Sequence, residues 1–322
     1  MSDLPLLHVE YARNDLADLL RQDDVLAVLG FGRDAPPTGD DPRYLRVGLE
    51  PLQDRAPLEV WRAPGPISHG VAGRVRWSST NDYCFGAIEV AEADFPDVAT
   101  ATEAAYSSLS AFARGGRWPH LLRVWNYLAA INEGAGDAER YKHFCTGRSA
   151  GTRELGTYFP AASAIGRSDG VPVLQVYWLA SRVPGTAVEN PRQTSAWCYP
   201  RQFGPTPPTF ARAMRGPTAT PQLHISGTAA VVGHDSQHTG DLQAQLRETF
   251  ANLGSLLKSA GNLPAFDRNS VLKAYVRHRE DLTRVEAALG GYLPPEIPRL
   301  ILLGDICREE LLVEIDGIHS VR

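Results

Sequence analysis

The sequence predicts an α+β fold built from two fused copies of one module, each a mixed β-sheet with helices packed on one face. The first observation is the pattern of residues 222–322, which is strand, helix, strand, helix, strand, strand. The second is a weaker repeat of this order in residues 85–181. Strands and helices in this order are typical of a sheet that carries its helices on one side.

Each element of the C-terminal copy has its own local pattern. Residues 223–233 are short, apolar and rich in small side chains, which predicts a buried strand. Asp241 then precedes a helix that Gly261 ends. The apolar residues of this helix recur at spacings of three and four, namely Leu242, Leu246, Phe250, Leu253, Leu257 and Ala260. Residues 270–278 alternate as a strand does, and Asp281 is the expected cap of a second helix.

The N-terminal copy contains matching elements. Residues 85–90 and 121–128 have strand patterns, and a helix is expected near residues 137–150. A further helical stripe is formed by Ala101, Ala105, Leu109 and Phe112. Residues 159–181 parallel residues 297–320, since each has a proline, a short strand that ends in glycine, a turn and an apolar strand. Similar sheet patterning without a true repeat would produce the same signal.

The prolines divide the chain into parts. Eight of the 24 prolines lie in residues 184–221, which also contain several aromatic residues. We therefore expect an elaborated N-terminal domain in residues 1–185, a proline-rich connection in residues 186–221 and a C-terminal domain in residues 222–322.

Composition excludes several functional classes. The 322 residues are 43% hydrophobic and 21% charged, which is typical of a globular chain. With 32 Lys and Arg against 37 Asp and Glu, the net charge of −5 argues against nucleic acid or an anionic membrane as the main partner. Four cysteines without a C-x-x-C motif and a start without a signal peptide predict a cytoplasmic protein with reduced thiols. We expect a monomer.

No metal or cofactor is expected from the motifs. His234 and His238 are four residues apart but lack the glutamate of an H-E-x-x-H site and precede the predicted helix. The glycines of residues 30–39 have no strand-turn-helix frame for a nucleotide.

The last two strands carry the most informative polar residues. We predict that residues 299–306 and 310–318 pair through a tight turn, which would place Glu314 opposite Asp305. Cys307 and Arg299 would then share the face of Glu314, among leucines. The turn has no Asn-Gly signature, and a solvated strand carboxylate is the alternative interpretation of Glu314.

Residues 223–320 resemble the reactive-intermediate deaminase family (RidA/YjgF). The similarity lies in ISGTAAVVG, SVLKAYVRHREDL, the proline-arginine of IPRL, and LLVEIDGI. The resemblance implies that Arg299 holds a substrate carboxylate and that Glu314, fifteen positions later, works with it at a site between neighbouring modules.

From about residue 40 to the end, the chain resembles the chorismatase family. The similar segments are RVWNYLAAIN, ERYKHFCTGR, FPAASAIG, ENPRQTSAWCYPRQFGP, SGTAAVVGH and DICREELLVEID. The resemblance implies two fused deaminase-like (chorismate-mutase-like) modules and cleavage of the enol ether of chorismate, with release of pyruvate. The N-terminus and the length look most like a bifunctional group that makes 3- and 4-hydroxybenzoate for aryl-polyene pigment and ubiquinone pathways.

The resemblance also implies a set of site residues. Chorismate is a dianion, and planar guanidinium groups match carboxylates well. The expected substrate contacts are Arg299, Arg148, Arg201, Tyr199 and the backbone at Gly227 and Thr228. A surface charge or an ion pair is the alternative for each arginine.

Two residues are expected to set the chemistry. A buried Glu314 would protonate the methylene carbon of the substrate, since burial raises a carboxyl pKa. In the family, cysteine at the position of Cys307 marks 3-hydroxybenzoate formers, and a small buried side chain is the alternative interpretation. Ala230 departs from the glycine of those formers, which puts a single product in doubt. An imine or enamine deaminase and a non-catalytic sensor of small carboxylates remain alternative functions.

Overall fold

Three β-sheets surround a common interior in this protein, which a computed structural model describes for residues 4–52 and 56–321. Side chains from all three sheets meet there in one apolar cluster, which includes Leu29, Trp61, Trp125, Tyr177 and Tyr275. Alternate residues of a strand point to opposite faces, so each sheet directs only every second side chain into this interior.

The strands and helices have the following bounds. The strands are β1 (His8–Ala12), β2 (Val25–Phe31), β3 (Tyr44–Val47), β4 (Glu50–Pro51), β5 (Leu58–Arg62), β6 (Ser68–Ala72), β7 (Val75–Ser79), β8 (Tyr83–Ala91), β9 (His120–Ala129), β10 (Ala161–Arg167), β11 (Val173–Ser181), β12 (Thr186–Val188), β13 (Ala213–Arg215), β14 (Gln222–Thr228), β15 (Val231–Val232), β16 (Asp235–Ser236), β17 (Ser270–Val276), β18 (Arg299–Leu303), β19 (Asp305–Ile306) and β20 (Val313–Ser320). The α-helices are α1 (Leu16–Leu20), α2 (Val98–Gly115), α3 (Arg140–Gly151), α4 (Leu242–Ser259) and α5 (Leu282–Tyr292).

The two modules share one topology. The N-terminal module is β8-α2-β9-α3-β10-β11, and the C-terminal module is β14-α4-β17-α5-β18-β20. In each sheet the four module strands lie side by side in the order third, second, fourth, first. The second and third strands are parallel, and the other neighbours are antiparallel. The predicted α+β class and the two fused modules are therefore confirmed.

The helices cover the outer face of each sheet. Apolar residues of α2, such as Ala105 and Leu109, pack with Trp178 of β11. The stripe of α4 packs in the same way against Ile301 and Ile315 of the C-terminal sheet. Each sheet thus has a helix face and an interior face, as the helical and strand periodicities of the sequence require.

The starts of the two C-terminal helices differ. The Asp241 carboxylate accepts a hydrogen bond from the Ala244 backbone N–H at 3.0 Å, as a helix cap does. Asp281 also precedes its helix, but its side chain makes no capping bond and pairs with Arg284 at 2.7 Å instead. The expected cap is therefore confirmed at Asp241 and wrong at Asp281.

Strands β1, β2, β3 and β5 form a four-stranded sheet of their own, in the order β1-β5-β2-β3. A buried ion pair joins it to the C-terminal sheet, since Lys273 Nζ lies 2.7 Å from Glu59 Oε2. Strand β4 pairs with β18 and so belongs to the C-terminal sheet. The N-terminal part of the chain therefore contacts the C-terminal sheet at two points.

The proline-rich connection is a structured part of the C-terminal sheet. Strands β12 and β13 extend that sheet beyond β14, in the order β12-β13-β14. Between them, residues 189–212 run along the boundary between the two modules, where Ala211 bridges to Ala161 of β10. This path carries aromatic and arginine side chains to the junction of the modules.

The predicted hairpin of the last two strands is wrong. Strand β20 lies between β14 and β17, and Glu314 is opposite Tyr275 rather than Asp305. Strand β18 lies on the far side of β17 and is parallel to it. Strand β19 pairs with β10 of the other sheet, so the chain crosses between the modules before it returns as β20. Apolar pattern alone does not determine which strand is the neighbour.

Among residues 4–52 and 56–321, no helix has both the length and the apolar character that crossing a membrane requires.

Candidate active site at the module boundary

A cavity of about 470 Å³ lies where the two modules meet. The N-terminal module contributes residues of α3 and the start of β10, and the C-terminal module contributes the end of β14 and residues 307–314. The proline-rich connection closes the third side with residues such as Tyr199 and Arg212. The volume suits a small organic ligand. The site therefore needs both modules and the segment that connects them.

Glu314 reaches this cavity from strand β20. It is 5% exposed and points to the interior face, with Tyr275 as its cross-strand partner. Burial raises the pKa of Glu314 to about 8, and the neighbouring charge of Asp316 acts in the same direction. The guanidinium groups of Arg123 and Arg212 lower this pKa but do not outweigh burial.

Gly227 leaves the space that the Glu314 carboxyl occupies. A Cβ atom at position 227 would overlap Oε1 of Glu314 and would lie 3.1 Å from Oγ of Ser163. The pairing register of β14 with β20 also shifts between Ile225 and Thr228. The backbone at Gly227 therefore lies at an irregular point of the ladder, directly beside the acid.

Asp316 lies behind Glu314 on the same strand face and is completely buried. Its Oδ2 atom accepts four hydrogen bonds. The donors are Arg123 Nη2 at 2.8 Å, Trp125 Nε1 at 3.0 Å, Ser163 Oγ at 2.7 Å and Tyr275 OH at 2.8 Å. Ser163 also lines the cavity, so this network extends from the interior of the protein to the site.

Arg212 is a cavity residue that the sequence reasoning missed. It is 6% exposed, and its Nη2 donates hydrogen bonds to the Thr194 carbonyl at 2.6 Å and to the Tyr199 hydroxyl at 2.7 Å. Its Nε has no hydrogen-bond partner among the described residues. The guanidinium lies 5.2 Å from the centre of the Phe210 ring. These contacts fix the orientation of the Arg212 guanidinium and leave its Nε–H free to donate to a ligand.

Arg148 provides a second buried guanidinium on the opposite wall. It is 4% exposed on α3, and its charge lies 5.3 Å from the centre of the Tyr106 ring. Its Nε also has no hydrogen-bond partner within the described part of the chain. Neither Arg148 nor Arg212 forms an ion pair with a carboxylate of residues 4–52 and 56–321. The charge of Arg212 lowers the pKa of Glu189 and of Glu314, but neither carboxyl group forms an ion pair with it. Two buried guanidinium groups without an ion-paired carboxylate indicate a site for an anionic ligand.

Tyr199 and Arg308 form a wall of the cavity. The Arg308 guanidinium lies 4.2 Å from the Phe203 ring centre and 5.2 Å from that of Tyr199. It also donates to the His234 carbonyl at 2.8 Å. These contacts hold the connection against the loop that leads into β20.

Cys307 lines the cavity beside Glu314. Burial raises the pKa of the Cys307 thiol to about 12, and the Glu314 charge adds to the effect. Tyr141 of α3 lines the same region, and burial raises its pKa well above the ordinary value. Both side chains are therefore neutral at physiological pH and act as a small thiol and a hydroxyl donor.

Arg299 is not part of this cavity, which corrects the expectation drawn from the hairpin register. It is the first residue of β18 and, two positions before Ile301, points to the same face of the strand. Ile301 packs under the helices, whereas Leu300 and Leu302 face the interior. Its Nη1 donates to the Pro294 carbonyl at 3.3 Å. Arg299 is opposite Leu272 of β17 and Glu314 is opposite Tyr275, three positions further along that strand, so Arg299 and Glu314 lie on opposite faces of the sheet.

Three further predicted contacts lie outside the cavity lining. Arg201 is exposed and pairs with Asp137 at 2.6 Å, as the surface interpretation expected. Thr228 is buried, and its hydroxyl donates to the Ser226 carbonyl at 3.0 Å. Ala230 is fully buried between two lining residues, Ala229 and Val231.

The structure brings together five of the nine predicted residues, and these line one cavity. They are Glu314, Cys307, Arg148, Tyr199 and Gly227. Arg212 and Ser163 were missed although both lie in segments that had been singled out. Arg212 lies within the proline-rich connection, and Ser163 lies within FPAASAIG, one of the segments similar to the family.

Comparisons with known proteins identify relatives of this chain. Residues 59–180 match the family described as chorismatase FkbO/Hyg5-like, N-terminal. A chorismatase from Streptomyces hygroscopicus is 36% identical over 82% of this chain and 80% of its own length. A 3-hydroxybenzoate synthase from the same organism is 34% identical over 81% of this chain and 80% of its own length. A crystal structure of a chorismatase matches with a TM-score of 0.87 and 32% identity, over 99% of both chains.

The fold and the cavity define an enzyme made of two fused α+β modules with its site between them. Because relatives above 30% identity cover most of the chain and the fold matches over its full length, the chain belongs to the chorismatase family. The expected resemblance and the expectation of an enzyme are therefore confirmed.

Titration of Glu314 tests the electrostatics of the site directly. We expect the Glu314 carboxyl to carry its proton at pH 7 and to lose it as the pH rises through about 8, because burial disfavours its charged form. The measurement is the infrared carbonyl band of the protonated acid, taken as the difference between the unmodified protein and Glu314→Gln. A band that vanishes below pH 6 would contradict the expectation.

Proposed function

We propose that this enzyme converts chorismate to pyruvate and 3-hydroxybenzoate, with 4-hydroxybenzoate as a second product, and that Glu314 is its general acid. The observation that carries the proposal is the buried Glu314 carboxyl, with a pKa raised to about 8, in one cavity with two unpaired arginines. The relatives named chorismatase and 3-hydroxybenzoate synthase support chorismate as the substrate.

The cavity suits a dianion. We assign one carboxylate of chorismate to Arg212 and the other to Arg148, because each guanidinium is buried and keeps a donor without a protein partner. The Tyr199 hydroxyl accepts a hydrogen bond from Arg212 and so keeps its own hydrogen for the ligand. The backbone N–H of Gly227 is a further donor, since the ladder is irregular there.

The proposed reaction starts with a proton transfer to carbon. Glu314 gives its proton to the methylene carbon of the enol ether, which produces an oxocarbenium ion and the Glu314 carboxylate. The ring 4-hydroxyl oxygen attacks the ring carbon that carries the ether, and its proton returns to Glu314. The bond from this carbon to the ether oxygen breaks, and pyruvate leaves with the electron pair.

The remaining ring is an arene-oxide-like intermediate. The bond between its oxygen and ring carbon 4 breaks, and the oxygen that stays on ring carbon 3 takes up a proton. Loss of the hydrogen of ring carbon 3 as a proton makes the ring aromatic as 3-hydroxybenzoate. Chorismate has the same atoms as 3-hydroxybenzoate and pyruvate together, so this route consumes no water. Capture of the oxocarbenium ion by water is the competing hydrolytic outcome.

Cys307 is the residue we assign to product choice. Its neutral thiol borders the cavity beside Glu314, where it contacts the ring region of a bound ligand in the proposed orientation. A small thiol there leaves room for the ring 4-hydroxyl to approach the ether carbon. Ala230 is buried between the lining residues Ala229 and Val231, and we assign it a role in the shape of this wall.

The deaminase alternative loses its main support in this structure. It depends on Arg299 and Glu314 acting together, and the two lie on opposite faces of the C-terminal sheet. The sensor alternative does not account for an acid with a raised pKa at the centre of the cavity.

Glu314→Gln tests the general acid. The amide keeps the shape of the side chain but cannot donate a proton to carbon, so we expect pyruvate release from chorismate to fall by about 10²–10⁴-fold or more with an unchanged fold. In the unmodified enzyme, kcat/KM should fall as the pH rises through about 8, because ionisation removes the acid form. Full activity of the variant would remove Glu314 from the mechanism.

A matched pair of arginine variants tests substrate binding. Arg212→Met removes a buried guanidinium of the cavity, and we expect KM for chorismate to rise about 10- to 100-fold through loss of charge-assisted hydrogen bonds. Arg201→Met removes an exposed guanidinium only 11 positions away that pairs with Asp137, and KM should stay unchanged. Steady-state kinetics that rank the two variants in the reverse order would refute the assignment.

Cys307→Val tests product choice. The added volume beside Glu314 should hinder the approach of the ring 4-hydroxyl and so lower the share of 3-hydroxybenzoate. Cys198→Ser is the control, because Cys198 is an exposed thiol outside the cavity. Chromatography of the products gives the ratio, and an identical ratio in Cys307→Val and the unmodified enzyme would disprove the role.

A further inference from the structure

Glu314 and Asp316 lie on one face of strand β20, with one residue between them. Strand geometry separates such positions by about 7 Å, and both side chains are buried. Two carboxyl groups this close in a protein interior oppose each other's ionisation. The two groups nevertheless have different surroundings, and this difference decides which of them keeps its proton.

Asp316 is surrounded by hydrogen-bond donors and cations. Four donors converge on its Oδ2 atom, and one of them is the completely buried guanidinium of Arg123 at 2.8 Å. Lys273 Nζ approaches Oδ1 of the same residue at 4.0 Å. Hydrogen bonds and cations of this kind stabilise the charged form of a carboxyl group.

Glu314 has the opposite surroundings. Its carboxyl lies against the Gly227 backbone at the cavity wall, where burial disfavours charge. The neighbouring charge of Asp316 disfavours ionisation further, whereas Arg123 and Arg212 favour it. The other titratable groups that border Glu314 or the cavity are Tyr275, Cys307, Arg148, Tyr141, Arg308, Glu310, Glu309, Glu139, Lys142 and Tyr199.

We propose that Asp316 is a positioning residue that keeps Glu314 in the protonated form. It also fixes the position of Ser163, which lines the cavity beside Glu314. Its fixed negative charge offsets the arginines that bind the substrate carboxylates and would otherwise draw the proton off Glu314. Ser163 connects Asp316 to the cavity, because its hydroxyl donates to Asp316 while its side chain lines the cavity next to Gly227. The catalytic consequence rests on the proposed function of Glu314.

The arrangement separates two needs of the site. An anionic substrate requires arginines, and a carbon acid-base step requires a neutral carboxyl group beside them. A buried carboxylate behind the acid satisfies both, since it cancels part of the cationic field at Glu314 without entering the cavity. Asp316 itself does not line the cavity and so does not compete with the substrate.

The test is Asp316→Asn, which keeps the size of the side chain and removes its charge. We expect the pKa of Glu314 to fall, seen as earlier loss of its protonated-acid infrared band on raising the pH. The basic limb of the pH profile of kcat/KM for pyruvate release should move to lower pH in parallel. For each pKa unit of this shift, activity above the pKa falls about tenfold further than activity at low pH.

Glu59→Gln is the matched control. Glu59 is also a buried carboxylate, ion-paired with Lys273 at 2.7 Å and bonded to Trp61 Nε1 at 2.8 Å. Its loss perturbs the same interior, but Glu59 is not among the charges that act on Glu314. The pKa of Glu314 should therefore stay unchanged in Glu59→Gln, even where the variant is less stable.

If Asp316→Asn alone does not fold, the double variant Arg123→Met with Asp316→Asn removes both charges of the buried pair. The pKa of Glu314 should still fall, since Asp316 acts on it more strongly than Arg123 does. An unchanged titration of Glu314 in the folded variant, or an equal shift in Glu59→Gln, would overturn the proposal. The infrared titration needs no substrate, so it decides the role of Asp316 even if the unmodified enzyme released no pyruvate from chorismate.

Discussion

The site depends on the burial of one carboxyl group, Glu314, at the boundary of two modules. Burial of an ionisable group destabilises the folded protein if the group is charged and unpaired, because such a charge costs several kcal/mol of folding free energy. In the structure, burial raises the pKa of Glu314 to about 8, and the ion pair of Asp316 with Arg123 lies behind it. The aromatic interior shared by the three sheets provides the low-dielectric surroundings in which these interactions are strong.

The fused modules explain why the cavity exists where it does. Each module has a helix face and an interior face, and the cavity lies where the two interior faces meet. Strand β19 pairs with the opposite module before β20 begins, so the segment with Cys307 and Arg308 spans the junction. The proline-rich connection then adds Arg212 and Tyr199 from the third side. The junction is thus closed by segments that belong to neither repeat unit.

The arginines of the protein have different surroundings. Arg123 serves the interior carboxylate, Arg212 and Arg148 keep donors for a ligand, and Arg308 stacks on the aromatic wall. These four side chains have the same chemistry, and their roles differ through burial and partners alone. Arg201 and Arg299, which sequence similarity favoured, are directed to solvent or to the helix face of the sheet.

Local pattern was enough to predict the modules, the order of their elements and the face of β20 that carries Glu314. Helical stripes, strand alternation and the cap at Asp241 depend on neighbours within a few residues, so they are present in the sequence. The neighbour of β20, the separation of Arg299 from Glu314 and the arrival of Arg212 and Ser163 at the cavity depend on strand pairing across long chain separations. Only the tertiary structure decided these, because every alternative pairing buries similar apolar faces and differs in which polar groups meet.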